Sequence, residues 1–83
     1  MPLYLDTHHK IPGLTTEAVA GAHARDVEVG PKYGVRYLRY WYDETTGKVF
    51  CLVEGPTPEA CIETHREAHG LVADELQEVR EGA

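Results

Sequence analysis

The segment of residues 35–54 constrains the fold more than any other part of the chain. Its first half, "VRYLRYWY", consists of β-branched, aromatic and a few basic residues, which predicts a strand over residues 35–42. "DETTGK" then predicts a hairpin turn in which Gly47 can take a positive φ, and "VFCLVE" over residues 49–54 is the return strand. Both strands carry large apolar side chains on both faces, and a sheet of that kind must be covered on both sides.

The chain has enough helix for only one of these covers. Simple alternation divides the first strand into two apolar sets, with Val35, Tyr37 and Trp41 on one face and Leu38, Tyr40 and Tyr42 on the other. An 83-residue chain is expected to form one domain with a thin core. We therefore expect a second copy to provide the other cover, in a homodimer.

The remaining elements predict a strand, a helix, a second helix and a final short strand. "LYLDTH" over residues 3–8 alternates, with Tyr4, Asp6 and His8 on one face. Thr15 or Thr16 caps a helix that extends to about residue 29, where "GP" ends it. A second helix starts with a threonine cap and a proline at its first position, runs over residues 58–69 and stops at a glycine.

The tail "LVADELQEV" has both helical and strand character, and a short strand within residues 73–79 completes the pattern. The predicted order is βαββαβ, the ferredoxin-like α+β fold, over a single domain of residues 1–83. Both helices lie on one face of an antiparallel sheet, and the other face lies in the homodimer.

Composition excludes several classes of function. The net charge is −6 with a pI near 5.2, and the eight basic residues are scattered, which argues against nucleic acid as a partner. The start of the chain lacks the features of a signal peptide, and no apolar run is long enough to cross a membrane. Two cysteines are too few for a disulfide framework, so a cytoplasmic protein with reduced thiols is expected.

Histidines are the most suggestive chemical feature, with five in the chain. In "ETHREAHGL", His65 and His69 are four residues apart and share one helical stripe, so both could bind one cation. The helical wheel makes His65 half-sheltered and places His69 at the rim. The sequence HREAH differs from the HExxH metalloprotease motif, because its glutamate is displaced by one position. The alternative is a pair of structural histidines near a helix C-terminus, where the helix dipole favours their charged form.

Three other residues could contribute to a site. Asp6 and His8 project from the same strand face and could share a cation or a proton, or could form a solvated strand end. His23 falls on the apolar side of the first helix together with Val19, Ala20 and Val27, a position typical of a core histidine. Cys51 is typical of a small core residue and could add a soft ligand, whereas Cys61 is expected to face the sheet. None of the familiar catalytic motifs is present, and we do not expect an enzyme.

The whole of residues 1–79 resembles a small bacterial family, first described as a domain of unknown function and typified by an actinobacterial nickel-binding protein. The matching segments are "MPLYLDTH", "GLTTEAVAGAHARD", "KYGVRYLRYW", "GKVFCLVE" and, most specifically, "HREAHGLVADEL". The resemblance implies a ferredoxin-like subunit, a homodimer and divalent nickel bound near the surface. It also implies a role in nickel sequestration or tolerance. The segments contain Asp6, His8, His23, Cys51, His65 and His69.

The sequence thus predicts a homodimeric nickel-binding protein whose metal ligands are Asp6, His8, His65 and His69. Imidazole suits Ni²⁺, but the same donors also accept Cu²⁺ or Zn²⁺. Donors from the two copies could complete one site across the dimer. The alternative is a dimeric α+β-barrel enzyme or small-ligand carrier, with a pocket between sheet and helices lined by His23 and His65.

Overall fold

The computed structural model describes residues 1–82 and has the predicted βαββαβ order. The strands are β1 (Leu3–His8), β2 (Arg36–Asp43), β3 (Lys48–Glu54) and β4 (Glu75–Val79), and the helices are α1 (Thr16–Val29) and α2 (Pro58–Ala68). The strands form one antiparallel sheet in the order β2-β3-β1-β4. The ferredoxin-like prediction is confirmed, including the strand in the tail. Neither helix within the described range is long and apolar enough to cross a membrane.

Both helices begin at the predicted threonine caps. The Thr15 side chain accepts a hydrogen bond from the backbone N–H of Ala18, and Thr57 does the same for the N–H of Ala60. α2 ends at a glycine with φ of 77°, and the N–H groups of residues 69 and 70 both donate to the carbonyl of His65. This stop fixes the last turn of α2, which carries the histidine pair.

The end of α1 differs from the prediction in one detail. α1 ends at Val29, but the chain continues through a 3-10 turn, Gly30–Tyr33, and only Gly34, with φ of 71°, turns it away. The turn closes tightly, because the N–H of Val35 donates to the carbonyl of Gly30 at 2.9 Å. A β-carbon on Gly30 would overlap the Val35 carbonyl oxygen, so this position needs glycine for space rather than for its φ of −46°.

We expect Gly30→Ala to destabilise the protein by about 1–3 kcal/mol, because the added methyl forces the backbone of the turn apart. Gly21→Ala is the matched control, since Gly21 lies inside the same helix with open space around it. That change should stabilise the protein by about 0.5–1 kcal/mol. Urea unfolding of both variants measures the difference, and equal stabilities would contradict the crowding argument.

A β-bulge at Leu38 changes which side chains of β2 face the helices. Tyr37 pairs with Val53 and Arg39 with Leu52, so Leu38 is an extra residue and the alternation shifts by one beyond it. The predicted grouping of Tyr37 with Trp41 is therefore wrong. The Tyr42 hydroxyl lies 3.0 Å from the Thr16 hydroxyl of α1, and the ring of Tyr40 lies 4.6 Å from that of His23. Trp41 is turned to the opposite face and is 49% exposed.

The core lies between the helices and the inner face of the sheet. Its buried members are Tyr4, Val19, Val35, Tyr37, Val49, Cys51, Val53 and Cys61. The α1 stripe that faces the sheet includes Val19, Asp26 and Val29, whereas Val27 is 51% exposed, so the predicted helix face was rotated. The observed stripe places Asp26 inside the protein, where it becomes part of the candidate site.

The outer face of the sheet, defined here by Leu3, Leu5, Leu38, Trp41, Leu52 and Val79, forms an apolar groove. Among residues 1–82, neither α1 nor α2 contributes to its lining. Leu38 and Trp41 remain well exposed on it.

Candidate metal centre

Four potential metal donors meet on the inner face of the sheet. β1 carries Asp6 and His8, β3 carries Cys51 directly opposite Asp6, and α2 supplies His65. One donor atom from each of the four lies within 4.8 Å of the others, and all four residues are buried. The strand end that could have been solvated is therefore inside the protein. This group is called the strand cluster below.

His65 lies between two buried carboxylates. Its Nε2 is 2.8 Å from an oxygen of Asp6, and its Nδ1 is 2.8 Å from an oxygen of Asp26 in α1. The ring stacks on Tyr37 with the centroids 4.7 Å apart, and the Tyr37 hydroxyl donates to the carbonyl of Cys61. The ring is thus held on its two edges and on one face, which fixes its orientation.

A second group shares His65 and consists of Asp26, His65 and His69; it is called the helix cluster. His69 Nδ1 accepts a hydrogen bond from the N–H of Leu71 at 3.1 Å. A neutral His69 therefore carries its proton on Nε2, which donates to Asp26 at 3.2 Å. The His69 side chain is 13% exposed, at the predicted rim.

Electrostatics differ sharply between the histidines. Burial alone would lower the pKa of His65, but its hydrogen bond with Asp26 and the close carboxylate of Asp6 outweigh burial and raise that pKa to about 9. Burial lowers the pKa of His8, although Asp6 opposes the shift, so His8 is a neutral donor at physiological pH. Burial would raise the pKa of Asp26, but the two histidines bound to it lower it overall.

Cys51 is the least ready of the strand-cluster donors. Burial and the adjacent Asp6 carboxylate raise the pKa of its thiol well above the ordinary range. A metal ion needs the thiolate, and a bound cation would favour that form. Cys51 therefore remains protonated unless a cation lies beside it.

Asp6 is incompletely satisfied. Both of its carboxylate oxygens and Nε2 of His65 are buried and make no well-aligned hydrogen bond within residues 1–82. The 2.8 Å approach of Asp6 to His65 has the distance of an ion pair but not the alignment of a hydrogen bond. Burying a charge without full compensation is costly. A cation bound by these atoms would provide the compensation, so the donor set fits a metal ion.

The predicted ligand set of Asp6, His8, His65 and His69 does not converge on one point. The first three meet in the strand cluster, whereas His69 lies on the other side of His65, in the helix cluster. His65 is 2% exposed rather than half-sheltered. Within residues 1–82 the donors of the strand cluster are all buried on the inner face of the sheet, whereas His69 of the helix cluster is partly exposed.

Sequence reasoning missed Asp26 and undervalued Cys51. Asp26 is seven residues from Val19 and three from His23, a spacing that places it on the buried stripe of α1. No local signal predicts its burial, because acidic side chains are rarely buried without partners and its partners His65 and His69 are about forty residues away. For Cys51 the sequence did contain a signal, because both β1 and β3 were predicted as strands. The pairing of Asp6 with Cys51 could not be predicted, since it depends on the register of the two strands.

A cavity of about 70 Å³ lies beside the two clusters, between α1 and the inner face of the sheet. His8, Cys51 and His65 line it, together with His23 and Tyr40. His23 is half-buried and its ring contacts that of Tyr40 in a tilted arrangement, and it joins neither cluster. His9 is exposed elsewhere, where it pairs with Glu75.

The fold and the buried nitrogen, oxygen and sulfur donors define a small ferredoxin-like protein built around a candidate metal centre. The family model described as "Nickel responsive protein SCO4226-like" matches residues 4–79. The chain therefore belongs to the SCO4226-like family of nickel-responsive proteins.

One solved structure is similar over the whole chain. It is the crystal structure of SCO4226 from Streptomyces coelicolor A3(2), with 34% sequence identity and a TM-score of 0.90. The match covers 98% of this chain and 99% of that one. A search of curated proteins finds no match.

Proposed function

We propose that this protein binds a divalent transition metal, in the first place nickel, at the buried centre and holds it out of solution. The observation that carries the proposal is that, within residues 1–82, both carboxylate oxygens of Asp6 and Nε2 of His65 are buried without a well-aligned hydrogen bond. The nickel-responsive family supports nickel as the metal. Sequestration, rather than chemistry on a substrate, is the role we assign.

The strand cluster is the better of the two candidate sites. It offers two imidazoles, one carboxylate and one thiol, whereas in the helix cluster the ring nitrogens of His69 are already engaged by Leu71 and Asp26. Imidazole nitrogen suits Ni²⁺, and the Irving–Williams order ranks Cu²⁺ above it and Zn²⁺ close by. His65 must release one proton to become a ligand.

Isothermal titration of untagged, metal-free protein with Ni²⁺ tests the proposal, since a polyhistidine tag would itself bind nickel. We expect one tightly bound ion per chain. Parallel titrations with Zn²⁺ and Cu²⁺ rank the metals. The control is a variant in which the strand-cluster residues Asp6, His8, Cys51 and His65 are replaced by alanine. If wild-type protein gives no larger heat of nickel binding than this variant, the proposal is refuted.

The outer face of the sheet supports a homodimer. Neither helix covers its apolar groove, and Trp41, an aromatic residue of the kind enriched in interfaces, is exposed on the edge strand β2 and lines the groove together with Arg39. A second copy presents the same surface, so two such faces can pack against each other around a two-fold axis. The metal centres then lie on the far sides of the two sheets, one in each chain.

We expect wild-type protein to have twice the 9.3 kDa chain mass in light scattering, and Leu52→Glu to have the mass of one chain. Leu52 lies on the outer face in a central strand, so a charge there opposes packing between copies. Val27→Glu is the matched control, because Val27 is an exposed apolar residue on α1. An unchanged mass for Leu52→Glu would show that another surface forms the dimer.

A cytoplasmic location is part of the proposal. Both cysteines are free thiols, and Cys51 can serve as a donor only while it is reduced. A reducing compartment meets that requirement.

A further inference from the structure

Asp26 contacts Nδ1 of His65, whereas Asp6 of the strand cluster approaches Nε2 of the same ring. We propose that Asp26 is a positioning residue of the metal centre: its carboxylate keeps the single proton of neutral His65 on Nδ1 and so leaves Nε2 free to bind the ion. The inference rests on the proposed function and deepens it, because it assigns a task to a residue outside the strand cluster.

The strand cluster needs one particular nitrogen of His65. Nε2 lies 2.8 Å from an oxygen of Asp6 and is the ring nitrogen that, within residues 1–82, is buried without a well-aligned hydrogen bond. An ion bound there requires Nε2 to have lost its proton. A neutral imidazole still carries one proton, which must then be on Nδ1. The tautomer of His65 therefore decides whether the site can bind the ion.

An ionised carboxylate beside Nδ1 favours that tautomer. A carboxylate only accepts hydrogen bonds, so the 2.8 Å contact with Oδ1 of Asp26 requires a proton on Nδ1 of His65. Both side chains are about 3% exposed, which leaves little water to replace either partner. Carboxylates placed in this way behind metal-bound histidines fix both the tautomer and the orientation of the ring. The contact thus prepares His65 before an ion arrives.

His69 holds the Asp26 carboxylate in place. The N–H of Leu71 donates to Nδ1 of His69, so neutral His69 has its proton on Nε2 and donates it to Oδ2 of Asp26 at 3.2 Å. Each oxygen of Asp26 therefore accepts one hydrogen bond, Oδ1 from His65 and Oδ2 from His69. Two ring N–H groups need two accepting atoms, which a carboxylate offers and an amide does not.

Asp26→Asn tests the inference, because asparagine keeps the shape of the side chain and reverses one hydrogen bond. Its amide has one accepting oxygen and one donating NH₂ group. His69 can only donate to this amide while Leu71 engages its Nδ1, so the oxygen turns to His69 and the NH₂ group to His65. Nδ1 of His65 then accepts, and the single ring proton moves to Nε2, where it excludes the ion.

We expect the nickel affinity of Asp26→Asn to fall about 10–100-fold in titration calorimetry of untagged protein. Asp26→Ala offers His65 neither a donor nor an acceptor and should lose less affinity. A purely structural role predicts the opposite order, because asparagine preserves the volume of aspartate better than alanine does. Glu28→Gln is the matched control: Glu28 is an exposed carboxylate on the same helix, and its removal should leave the affinity within about threefold of wild type.

Nitrogen-15 NMR of metal-free protein with labelled histidine rings detects the tautomer directly. The pH is raised until His65 has lost one of its two protons, and in wild-type protein this proton should leave Nε2, so that Nδ1 stays protonated. Neutral His65 in Asp26→Asn should instead carry its proton on Nε2. Thermal unfolding shows which variants are folded, and if Asp26→Asn is not, the wild-type spectrum alone decides: a neutral His65 with a bare Nδ1 overturns the inference.

The outcomes separate this inference from the proposed function. Wild-type nickel affinity in folded Asp26→Asn, or a larger loss in Asp26→Ala than in Asp26→Asn, overturns the inference and leaves the proposed function standing. Equal losses in Asp26→Asn and His69→Gln, with His8→Gln unaffected, overturn it as well, because Asp26 would then be a ligand in the helix cluster. Absence of nickel binding by wild-type protein overturns both.

Discussion

Replacing His65 with glutamine is expected to lower the affinity for nickel at least about 100-fold. His65 is the one residue shared by the strand and helix clusters, so its loss damages either site. Even partners that only orient a metal ligand are worth about 10–100-fold in affinity, and a ligand itself is worth no less. Titration calorimetry of the untagged variant with Ni²⁺ measures the loss.

His9→Gln is the matched control for this experiment. His9 is exposed, pairs with Glu75 and lies in neither cluster, so its removal should leave the affinity within about threefold of wild type. A thermal unfolding curve for each variant shows whether His65→Gln is still folded. Nickel binding by folded His65→Gln at wild-type affinity would exclude both clusters.

Single changes in the two clusters then locate the ion. If nickel binds in the strand cluster, His8→Gln loses affinity strongly and His69→Gln does not. The reverse result would place the ion in the helix cluster, with Asp26. An equal loss of nickel affinity in His8→Gln and His69→Gln would require one site that uses both histidines. The structure places His8 and His69 in two different clusters, so we do not expect this result.

Metal-free protein is expected to lose about 2 kcal/mol of stability between pH 6.5 and about pH 8.5. The pKa of His65 is raised from 6.5 in the unfolded chain to about 9 in the folded one, against the effect of burial, by Asp26 and Asp6. A histidine whose pKa is raised on folding stabilises the folded chain, and this stabilisation is fully present at pH values below the pKa of the unfolded chain. That contribution is lost as the pH rises towards the folded value.

Urea unfolding across this pH range, in the presence of a chelator, measures the effect. The thiols of the unfolded chain begin to ionise near the top of this window, and because burial raises the pKa of both thiols in the folded chain, the cysteines add a smaller fall in stability there. His65→Gln should lose much less stability over the same range, which assigns most of the slope to that residue. A wild-type stability that is constant or rises with pH would contradict a charged His65 between two carboxylates.

The fold was predictable because its signals are local. Alternation gave β1, the threonine caps gave both helix starts, and glycines gave the turn at residue 47 and the stop after α2. The bulge at Leu38 was not predictable, because a bulge is a mismatch between two strands. Its effect is large: it turns Tyr40 and Tyr42 towards α1 and leaves Trp41 on the outer face.

The metal centre was predictable only in part. Asp6 and His8 share a strand face and His65 lies on the inner side of α2, and both facts follow from the periods of a strand and a helix. The sequence could not show that His69 would engage Asp26 instead of joining Asp6 and His8, because α1 and α2 meet only in the folded chain. Burial of Asp26 likewise depends on partners from another element.

The sequence alone determined the elements, their order and the types of donor available, since these depend on periodicity and on residues close together in the chain. Tertiary structure decided which donors meet, how deeply they are buried and what charge His65 carries. The physical reason is that burial and electrostatics act through space. The packing of α2 on β1 and α1 places His65 between Asp6 and Asp26, and no local pattern encodes that arrangement.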